Sequence, residues 1–424
     1  MRERLEAYAG TYQFYHARRE EFADDNTIPF RVSSTPLEIT QSQSTEIEHL
    51  GHDITQYVSA VDELYHDDPR VKALLDRGKP EIFLADEDPR YLFVRPDLIL
   101  TPQGFSICEI ETSPFGLALA DILNHAYRDE GYETLVGSED LKEHIHATTP
   151  LDGTIVYSDK TQAYAGQLHF LADRLFSDED RNWTAEPSEA VSEDDIATAY
   201  RAFYLAEYLT DPTIRTFLDA GTQTNRLFLP GLTPHLEEKA ILALIWDTRW
   251  QQFFHDKLGT ASFQHLRAMI PPTWIVGEEA YFAPGLPENI STSLDLARIS
   301  RSKRTFVLKS SGFSTNSSWA EGVHFLHEKS ATKAQELLQA AYDDPHRLHI
   351  VQQFTKAVDT PMHYQNRTTN TTLPMRARIR LTPYFAMDGD KQGNLVAIKA
   401  TGCENTDYIH ASTASINTAV SKAA

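Results

Sequence analysis

Residues 91–112, YLFVRPDLILTPQGFSICEIET, combine charged side chains with two apolar runs. The runs, 91–101 and 105–112, are rich in β-branched, aromatic and leucine residues, which favour strands. Between them stands Pro102-Gln103-Gly104, in which the glycine can adopt the positive φ that tight turns require. The pattern predicts a strand, a turn and a second strand, that is, a β-hairpin.

The register of this hairpin decides which charged residues meet. If the three turn residues form the loop, Thr101 faces Phe105, and each step outward pairs the next two residues. Side chains alternate between the faces of a strand, so the charged positions fall on one face. The pairs predicted in this way are Asp97 opposite Glu109 and Arg95 opposite Glu111.

Three carboxylates and one arginine on a single face indicate a divalent-metal site. Repulsion among neighbouring carboxylates is costly unless a cation lies between them, and hard cations prefer carboxylate oxygens as ligands. The candidate metal ligands are Asp97, Glu109 and Glu111. The opposite face collects the side chains of a core: Val94, Leu98, Leu100, Cys108 and Ile110. An exposed polar face of an antiparallel sheet is the alternative interpretation.

A second group of residues suited to binding lies in 305–323, TFVLKSSGFSTNSSWAEGV. A strand delivers a lysine, and a loop dense in small residues follows. Backbone N–H groups and hydroxyls of such a loop can approach phosphate oxygens, while the lysine supplies a point charge. The segment is not a Walker A motif, because no GK[ST] occurs, and a flexible surface loop is the alternative. The candidates are Lys309, Ser311, Gly312 and Ser314, with Ser317 and Ser318 further along.

Two later segments could also contact a nucleotide. IVQQFTKAV at 350–358 has the pattern of a strand that runs into a loop, where main-chain groups around Gln353 and Phe354 could hydrogen-bond an adenine edge. A plain sheet strand is the alternative. In MRARIRL three arginines alternate and project from one face, which suits phosphate, although pairing with surface carboxylates is the other interpretation. These arginines are Arg376, Arg378 and Arg380.

The motifs and their order resemble the glutathionylspermidine synthetase-like ATP-grasp ligases. Arg-x-Asp, a Glu twelve residues after the Asp and a second ligand two residues further on resemble that family's metal-binding hairpin. In the family this hairpin precedes the lysine strand and the phosphate loop, which is a circular permutation of the usual ATP-grasp order. The resemblance covers roughly residues 90–130 and 270–410. It implies an α/β (α+β), ATP-grasp-like fold with mixed and antiparallel sheets flanked by helices.

Carried over position by position, the resemblance implies that Asp97 and Glu109 are Mg²⁺ ligands. It also implies that Arg95 contacts the reacting phosphate or carboxylate. The family usually has Asn at the position of Glu111, and a carboxylate there can still coordinate Mg²⁺. Arg378 is the second arginine that we expect to act in catalysis.

The same resemblance places Lys309 at the ATP phosphates and Gln353 with Phe354 in the adenine hinge. The implied activity is C–N ligation with ATP and Mg²⁺ as cofactors. A small-molecule or peptide carboxylate attacks the γ-phosphate, and an amine captures the resulting acyl phosphate. Phosphoryl transfer to a carboxylate depends on charge neutralisation rather than on a protein nucleophile. The loop 310–318 is expected to close over the triphosphate and exclude water.

Other interpretations remain open on the residues alone. A phosphotransferase would share the nucleotide site and release a phosphorylated product without an amide bond. An ATP-binding protein without catalysis is suggested by Glu111 in place of the family's Asn. The metal could also bind at Glu404-Asn405, the acid–amide pair of an unpermuted ATP-grasp, with Arg376 or Arg378 as its arginine. We favour the hairpin, because its charged residues lie in cross-strand register on one face. Glu404 and Asn405 are adjacent, and adjacent residues on a strand point to opposite faces.

Composition limits the classes of partner. A net charge of −22 argues against nucleic acid and anionic membrane as main partners, because phosphate attraction dominates such binding. No run of 18 apolar residues and no signal peptide is found. The two cysteines, Cys108 and Cys403, provide neither a disulfide framework nor zinc spacing. We therefore expect a cytoplasmic protein without nucleic-acid or membrane partners.

The chain of 424 residues is longer than one ordinary domain, so we expect two or three closely associated domains to position these residues. Apolar residues recur at three and four in 44–78 and 235–258, which predicts helices, and 199–209 has amphipathic helical spacing. Residues 153–158 and the helix after them predict a βαβ unit, and 418–424 are expected to be frayed. The predicted parts are a helical N-terminal brace at 1–90, the metal-binding hairpin and helix at 91–150, an acceptor-side α/β and helical domain at 151–265 and the nucleotide-binding portion at 266–424.

Overall fold

The computed structural model describes residues 1–12, 14, 28, 30–84, 89–191, 196–277, 290–314, 322–366, 369, 371–387, 392–410 and 414–423. The α-helices there are α1 Arg2–Ala9, α2 Gln41–Asp67, α3 Pro69–Leu75, α4 Leu117–Asp129, α5 Asp140–Thr148, α6 Ala165–Phe170, α7 Pro212–Gln223, α8 Ile241–Leu244, α9 Gln251–Met269 and α10 Ala331–Tyr342. The strands are β1 Arg31–Val32, β2 Leu37–Ile39, β3 Phe93–Thr101, β4 Gly104–Glu111, β5 Asp152–Tyr157, β6 Asn182–Pro187, β7 Thr198–Ala202, β8 Leu227–Leu229, β9 Thr273–Ile275, β10 Phe306–Ser310, β11 Val323–Phe325, β12 His349–Gln353, β13 Asp359–Gln365, β14 Thr372–Ala386, β15 Leu395–Cys403, β16 Ile416–Thr418 and β17 Val420–Lys422.

The largest sheet has seven strands and contains the predicted hairpin as β3 and β4. Its strand order is β1-β16-β15-β14-β3-β4, and β13 also pairs with β14. Its pairs are antiparallel except for β1 with β16. Helices α2 and α9 contact its hairpin side, and α4 and α5 contact β15. Strands from distant parts of the chain therefore form one support for the charged face of the hairpin.

Two four-stranded sheets complete the main architecture. The first is antiparallel, in the order β11-β10-β12-β9, and carries Lys309 on β10. The second, β6-β5-β7-β8, is entirely parallel. Parallel neighbours need crossover connections, and α6 with the π-helix Leu171–Phe176 connects β5 to β6. The βαβ unit predicted from 153–158 is confirmed.

Helix α2 braces the hairpin sheet. Its first turn is a capping box, in which the Thr40 hydroxyl accepts from the Gln43 N–H at 3.2 Å and the Gln43 side chain accepts from the Thr40 N–H at 2.9 Å. Asp68 and Pro69 separate α2 from α3. The Asp68 side chain caps the N-terminus of α3, and Pro69 is the first residue of that helix. The helical pattern predicted over 44–78 therefore forms as two helices. The apolar face of α2 buries Ile47, Leu50, Ile54, Val58 and Val61.

Segment 199–209 differs from its amphipathic helical interpretation. Its first residues belong to strand β7, and its last residues form a 3-10 turn at Leu205–Leu209. All five residues of β7 are buried, since the strand lies between β5 and β8 in the parallel sheet. Strands buried on both faces carry apolar residues without alternation, so periodicity does not distinguish them from a buried helix.

The prediction of one long helix over 235–258 is wrong. The chain forms a 3-10 turn at Pro234–Glu237, the short α8, and then α9. Glu238 and Lys239 are buried and Glu237 is half-buried, and all three form ion pairs with partners from other elements: Glu237 with Arg201, Glu238 with Lys79 and Lys239 with Glu109. Unpaired buried charges are costly, so the backbone follows these partners rather than a continuous helix.

The C-terminal residues are ordered in strands, so the prediction of fraying over 418–424 is wrong for the part that the structure describes. Strand β16 lies between β1 and β15, and β17 pairs in parallel with β2. Strands β1 and β2 both come from 31–39, so this early segment and the last described residues stabilise each other. Among the described residues, no helix combines the length and the apolar character needed to cross a membrane.

Candidate active site

The hairpin forms the two predicted charged pairs through a different turn. Thr101 pairs with Gly104, so the loop has two residues, and the expected pairing of Thr101 with Phe105 is wrong. The register then shifts by one residue at Cys108, which is an extra residue in β4 opposite Asp97. The shorter turn and this bulge compensate each other, and the pairs are Asp97 with Glu109 and Arg95 with Glu111, as predicted.

The bulge also gives Cys108 a different place from the predicted core face. Cys108 lines the cavity, and its carbonyl oxygen accepts a hydrogen bond from Lys309 Nζ at 2.6 Å. A bulged residue leaves the regular ladder, so its main-chain groups are available to other partners. The other predicted core residues are buried, namely Val94, Leu98, Leu100 and Ile110. Phe105 and Ile107 of β4 are buried as well.

The three hairpin carboxylates form one cluster. One oxygen each from Asp97, Glu109 and Glu111 lies within 4.8 Å of the others. Arg95 binds two of these acids, with Nε at 2.9 Å from Asp97 Oδ1 and Nη2 at 2.7 Å from Glu111 Oε1. A third Arg95 bond, from Nη1 to the Phe115 carbonyl at 3.0 Å, fixes the guanidinium. The predicted proximity of the three acids and Arg95 is therefore present.

Two more cations come from outside the hairpin. Arg380 Nη1 on β14 lies 2.8 Å from Asp97 Oδ2, and Lys239 Nζ lies 2.7 Å from Glu109 Oε1. Asp97 is 1% exposed and lies behind these side chains, whereas Glu109 and Glu111 line the cavity. Charged side chains of the protein therefore balance the three carboxylates.

Two groups of the cluster, Glu111 and Lys399, have pKa values close to neutral pH. Burial, reinforced by the neighbouring Glu109 and Asp97 carboxylates, raises the pKa of Glu111 to about 7 despite its pairing with Arg95. Burial, together with the positive charges of Arg380 and Arg95, lowers the pKa of Lys399 to about 7. At neutral pH both groups can therefore gain or lose a proton at little cost.

Asp97 behaves in the opposite way. Burial acts to raise its pKa, but Arg380 and Arg95 outweigh burial and hold the pKa below its ordinary value. Asp97 is therefore ionised at neutral pH, and it fixes the two guanidiniums that face the cavity.

The cluster lies at a cavity of about 470 Å³, a size that fits small-molecule ligands. The hairpin sheet contributes Glu109, Glu111, Arg380 and Lys399, and the β10 sheet contributes Lys309, Phe325 and Gln352. An aromatic side is formed by Phe115, which follows β4, together with Tyr164 after β5 and Tyr204 after β7. The Phe115 ring centroid is 5.4 Å from that of Tyr164 and 5.7 Å from that of Tyr204. The three sheets thus meet at one site.

Lys309 projects from β10 toward the hairpin. Its Nζ donates to Gln352 Oε1 at 2.7 Å and to the Cys108 carbonyl at 2.6 Å. Burial lowers its pKa, although the nearby acids act against that shift. The lysine predicted for phosphate binding therefore lines the same cavity as the carboxylate cluster.

The small residues after Lys309 are packed against segment 237–240. Ser311 Oγ accepts from the Ala240 N–H at 2.9 Å, and the Gly312 N–H donates to Glu238 at 2.6 Å. A Cβ at Gly312 would lie 2.1 Å from the Glu237 carbonyl oxygen, so the site requires glycine. Gly312 lines the cavity, while Ser311 and Ser314 are buried outside its lining. The predicted continuation at Ser317 and Ser318 lies outside the described residues.

Gln353 and Phe354 line the cavity beyond Lys309. Their N–H groups donate to the carbonyls of Pro272, at 2.8 Å, and Thr305, at 2.9 Å, so those two donors are already used within the protein. The Phe354 ring lies 4.7 Å from the His327 ring and 5.5 Å from the Phe325 ring. The surroundings of Phe354 thus form an aromatic wall rather than a row of free main-chain donors.

The arginine row on β14 divides between two sides. Arg378 pairs with Asp407 and with Asp359, and it is outside the cavity lining. Arg380, two residues further on, is the member of the row that meets Asp97. The competing metal location at Glu404-Asn405 is also outside the lining, and Asn405 has a φ of +54°.

Sequence reasoning did not single out Lys239 or Lys399. Lys239 follows two acids at the start of an apolar run, LEEKAILALIW, and a charged triplet in such a place is a signal of buried ion pairs. Lys399 is the single charge in the strand sequence LVAIKATG, and it faces Thr382 of β14. An isolated lysine in an apolar strand is the corresponding signal there.

These sheets, with helices on their faces, form an ATP-grasp-like α/β fold of the glutathione synthetase type, and the predicted fold class is confirmed. A solved structure with this fold is the apo form of a glutathione synthetase-like effector, GSS30, from Globodera pallida. The two chains are 12% identical, the TM-score is 0.55, and the match covers 100% of this chain and 97% of that chain. No protein-family model and no curated protein matches the sequence.

Proposed function

We propose that this protein is an ATP-dependent ligase that joins a carboxylate to an amine through an acyl phosphate, with ATP and Mg²⁺. The observation that carries the proposal is the convergence of three carboxylates and five cationic side chains on one cavity between sheets. The cations are Arg95, Arg380, Lys239, Lys309 and Lys399. The glutathione synthetase-like fold supports a ligase in general terms, and the hairpin motif supports the likeness to glutathionylspermidine synthetase-like enzymes.

The residues fit a hard cation. Glu109 and Glu111 present carboxylate oxygens to the cavity, and Asp97 stands directly behind them. When bound, Mg²⁺ would neutralise phosphate charge and orient the oxygens that react. The acid at position 111 replaces the amide typical of the resembled family, and its pKa of about 7 lets it carry less negative charge than an ordinary glutamate.

The cationic side chains supply the remaining charge balance. Phosphoryl transfer spreads negative charge over the equatorial oxygens of the transferred group. Arg95, Lys239 and Lys309 surround the cavity and are held by hydrogen bonds before any ligand binds. Preorganised donors of this kind stabilise developing charge without reorganisation.

We assign the two aromatic sides of the cavity to different ligands. The wall of Phe325 and Phe354 lies beyond Lys309 and suits the adenine ring, which can stack on aromatic faces. The group of Phe115, Tyr164 and Tyr204 lies beside Arg95, whose Nη1 binds the Phe115 carbonyl. The substrate carboxylate would bind there, with its organic part against the aromatic rings.

The experiment is an ADP-release assay with a panel of acids and amines, run on wild type and two variants. Glu109→Gln removes a cavity carboxylate and is expected to lower kcat/KM by about 100-fold or more, as loss of a transition-state contact does. Glu404→Gln, at the exposed competing location, is the matched control and should retain turnover. Full turnover in Glu109→Gln would contradict the assignment.

The same assay separates the other functions. ADP release that needs an acid but no amine would indicate a phosphotransferase. Binding of a non-hydrolysable ATP analogue without ADP release under any acid and amine would indicate an ATP-binding protein without catalysis. Amine-dependent ADP release with an amide product is the outcome that the proposed ligase requires.

A further inference from the structure

A second group of side chains that could ligate a metal lies outside the cavity lining, behind a turn that contributes Pro234 and Glu237 to that lining. Asp62 and His66 are four residues apart on α2, so both project from the same face of the helix. His235 approaches them from the 3-10 turn Pro234–Glu237. One ligand atom from each residue lies within 4.8 Å of the others.

The geometry of this group is that of ligands around one point. Asp62 Oδ1 is 2.7 Å from His235 Nε2 and 3.7 Å from His66 Nε2. The two imidazole rings are 6.0 Å apart and nearly perpendicular, at 82°. Both Nε2 atoms thus face the same carboxylate oxygen from different directions.

The surroundings hold His235 in place and leave the group reachable. The Tyr65 ring stacks on the His235 ring at 3.8 Å and 5°. The His235 side chain is 4% exposed, whereas the His66 side chain is 33% exposed. One ligand is therefore fixed by packing, and a cation could enter past the other.

We propose that Asp62, His66 and His235 form a binding site for a divalent transition-metal ion of the Zn²⁺ type. Two imidazoles and one carboxylate suit this class of ion, which accepts three protein ligands and one exchangeable water. Mg²⁺ prefers an all-oxygen environment. The site therefore differs in chemistry from the hairpin cluster, in which all three candidate ligands are carboxylates.

The position of the site gives it a structural consequence. His235 precedes Glu237, which pairs with Arg201, and Lys239, which pairs with Glu109 in the cavity. A bound ion joins α2 to this segment, so it fixes the stretch of chain that delivers Lys239. This inference stands independently of the ligase proposal, because metal binding is measured without turnover.

The test uses metal-stripped full-length protein in excess Mg²⁺, which occupies carboxylate-only sites. Titration with Zn²⁺ in a calorimeter is expected to show one ion bound at this site in wild type and a loss of that binding in His66→Ala. His49→Ala, an exposed histidine of the same helix, is the matched control and should bind as wild type. Circular dichroism checks that each variant is folded.

Co²⁺ provides a second readout, because its visible absorption band reports nitrogen and oxygen ligands in a low-coordinate site. Wild type and His49→Ala should show the band, and His66→Ala should lose it. Zn²⁺ binding that persists unchanged in His66→Ala, or the absence of any Co²⁺ band in wild type, would overturn the proposal and leave the group as a hydrogen-bonded tether.

Discussion

Asp97 and Glu238 are both buried acids, 1% and 2% exposed, and their surroundings differ. Asp97 is held by the side chains of Arg95 and Arg380, which line the cavity. Glu238 pairs with the buried Lys79 at 2.7 Å, and its other oxygen accepts from a main-chain N–H. Burial acts to raise the pKa of each acid, and the neighbouring cations hold both pKa values below the ordinary range.

Glu238, unlike Asp97, binds main-chain N–H groups of a distant segment. The N–H groups of Gly312 and Phe313 donate to Glu238 at 2.6 Å and 3.1 Å. Glu238 therefore determines the path of the chain after Lys309, whereas Asp97 determines the positions of two guanidiniums beside a ligand site. Two buried ion pairs of similar appearance thus have different surroundings: one holds the backbone, and the other holds the side chains that line the cavity.

The largest expected effect is on the backbone side. Glu238→Ala leaves the Lys79 ammonium buried with the Leu75 carbonyl but without its carboxylate, and it removes the acceptor of the Gly312 and Phe313 N–H groups. We expect a loss of about 3–5 kcal/mol in the free energy of unfolding, as when one member of a buried ion pair is removed. Urea denaturation measures it, with the exposed Glu133→Ala as the control. A loss below about 1 kcal/mol would show that Glu238 does not organise this segment.

The next effect is on the chemical side and separates two arginines of β14. Arg380→Met removes a cation that faces the cavity and should lower ligase turnover by about 100-fold, as removal of a preorganised charge contact does. Arg378 is outside the cavity lining, although its partner Asp407 lines the cavity, so Arg378→Met should lower kcat/KM far less than Arg380→Met. Steady-state kinetics compare the two. Equal losses would place Arg378 in the reaction, as the sequence predicts.

A smaller effect tests the close packing behind the cavity. Gly312→Ala introduces a Cβ that would lie 2.1 Å from the Glu237 carbonyl oxygen. We expect a cost of about 1–3 kcal/mol, which is typical of overpacking. Gly131→Ala is not a neutral control, because Gly131 has a φ of +88°, so Gln335→Ala, at an exposed position of α10, provides the comparison. A thermal unfolding midpoint equal to that of wild type in Gly312→Ala would contradict the packing described.

The smallest effect is a pH dependence. The pKa of Glu111 is raised to about 7, chiefly by burial, so the folded state binds more protons than the unfolded state between its ordinary pKa and 7. The associated stability is present below the ordinary pKa and is lost as pH rises through 7. Glu111→Gln should reduce the fall in stability between pH 5 and pH 7 by about 1 kcal/mol, because the side chain is still 31% exposed and partly screened.

That measurement is made in EDTA, so that no cation occupies the cluster. The window stops at pH 7 because Lys399 acts above it: its pKa of about 7 makes stability fall as pH falls from its ordinary value through 7. If wild type and Glu111→Gln show the same pH profile from 5 to 7, the pKa of Glu111 is not raised.

The sequence was informative where a short-range pattern forms a local element, as in the hairpin and in α2 and α3. It predicted the pair of Asp97 and Glu109, but the two-residue turn and the bulge through which the pair forms are not visible in the spacing. Lys239 escaped notice because its neighbours have helical spacing, whereas the partner that sets its position, Glu109, is 130 residues away. Strands β16 and β17 escaped for the same reason, since their partners lie in 31–39. Local patterns predict local elements, and distant ion pairs and strand pairs decide the rest.

The bulge at Cys108 has a consequence for the comparison of related sequences. A two-residue turn with a bulge and a three-residue turn without one give the same offset between the paired acids. A relative with a one-residue gap at Cys108 and the same turn would keep the acids paired, and it would lose the carbonyl that holds Lys309. If the protein has the proposed function, a Cys108 deletion variant is expected to bind Mg²⁺ as wild type does and to bind ATP more weakly, and titration with each ligand would separate the two effects.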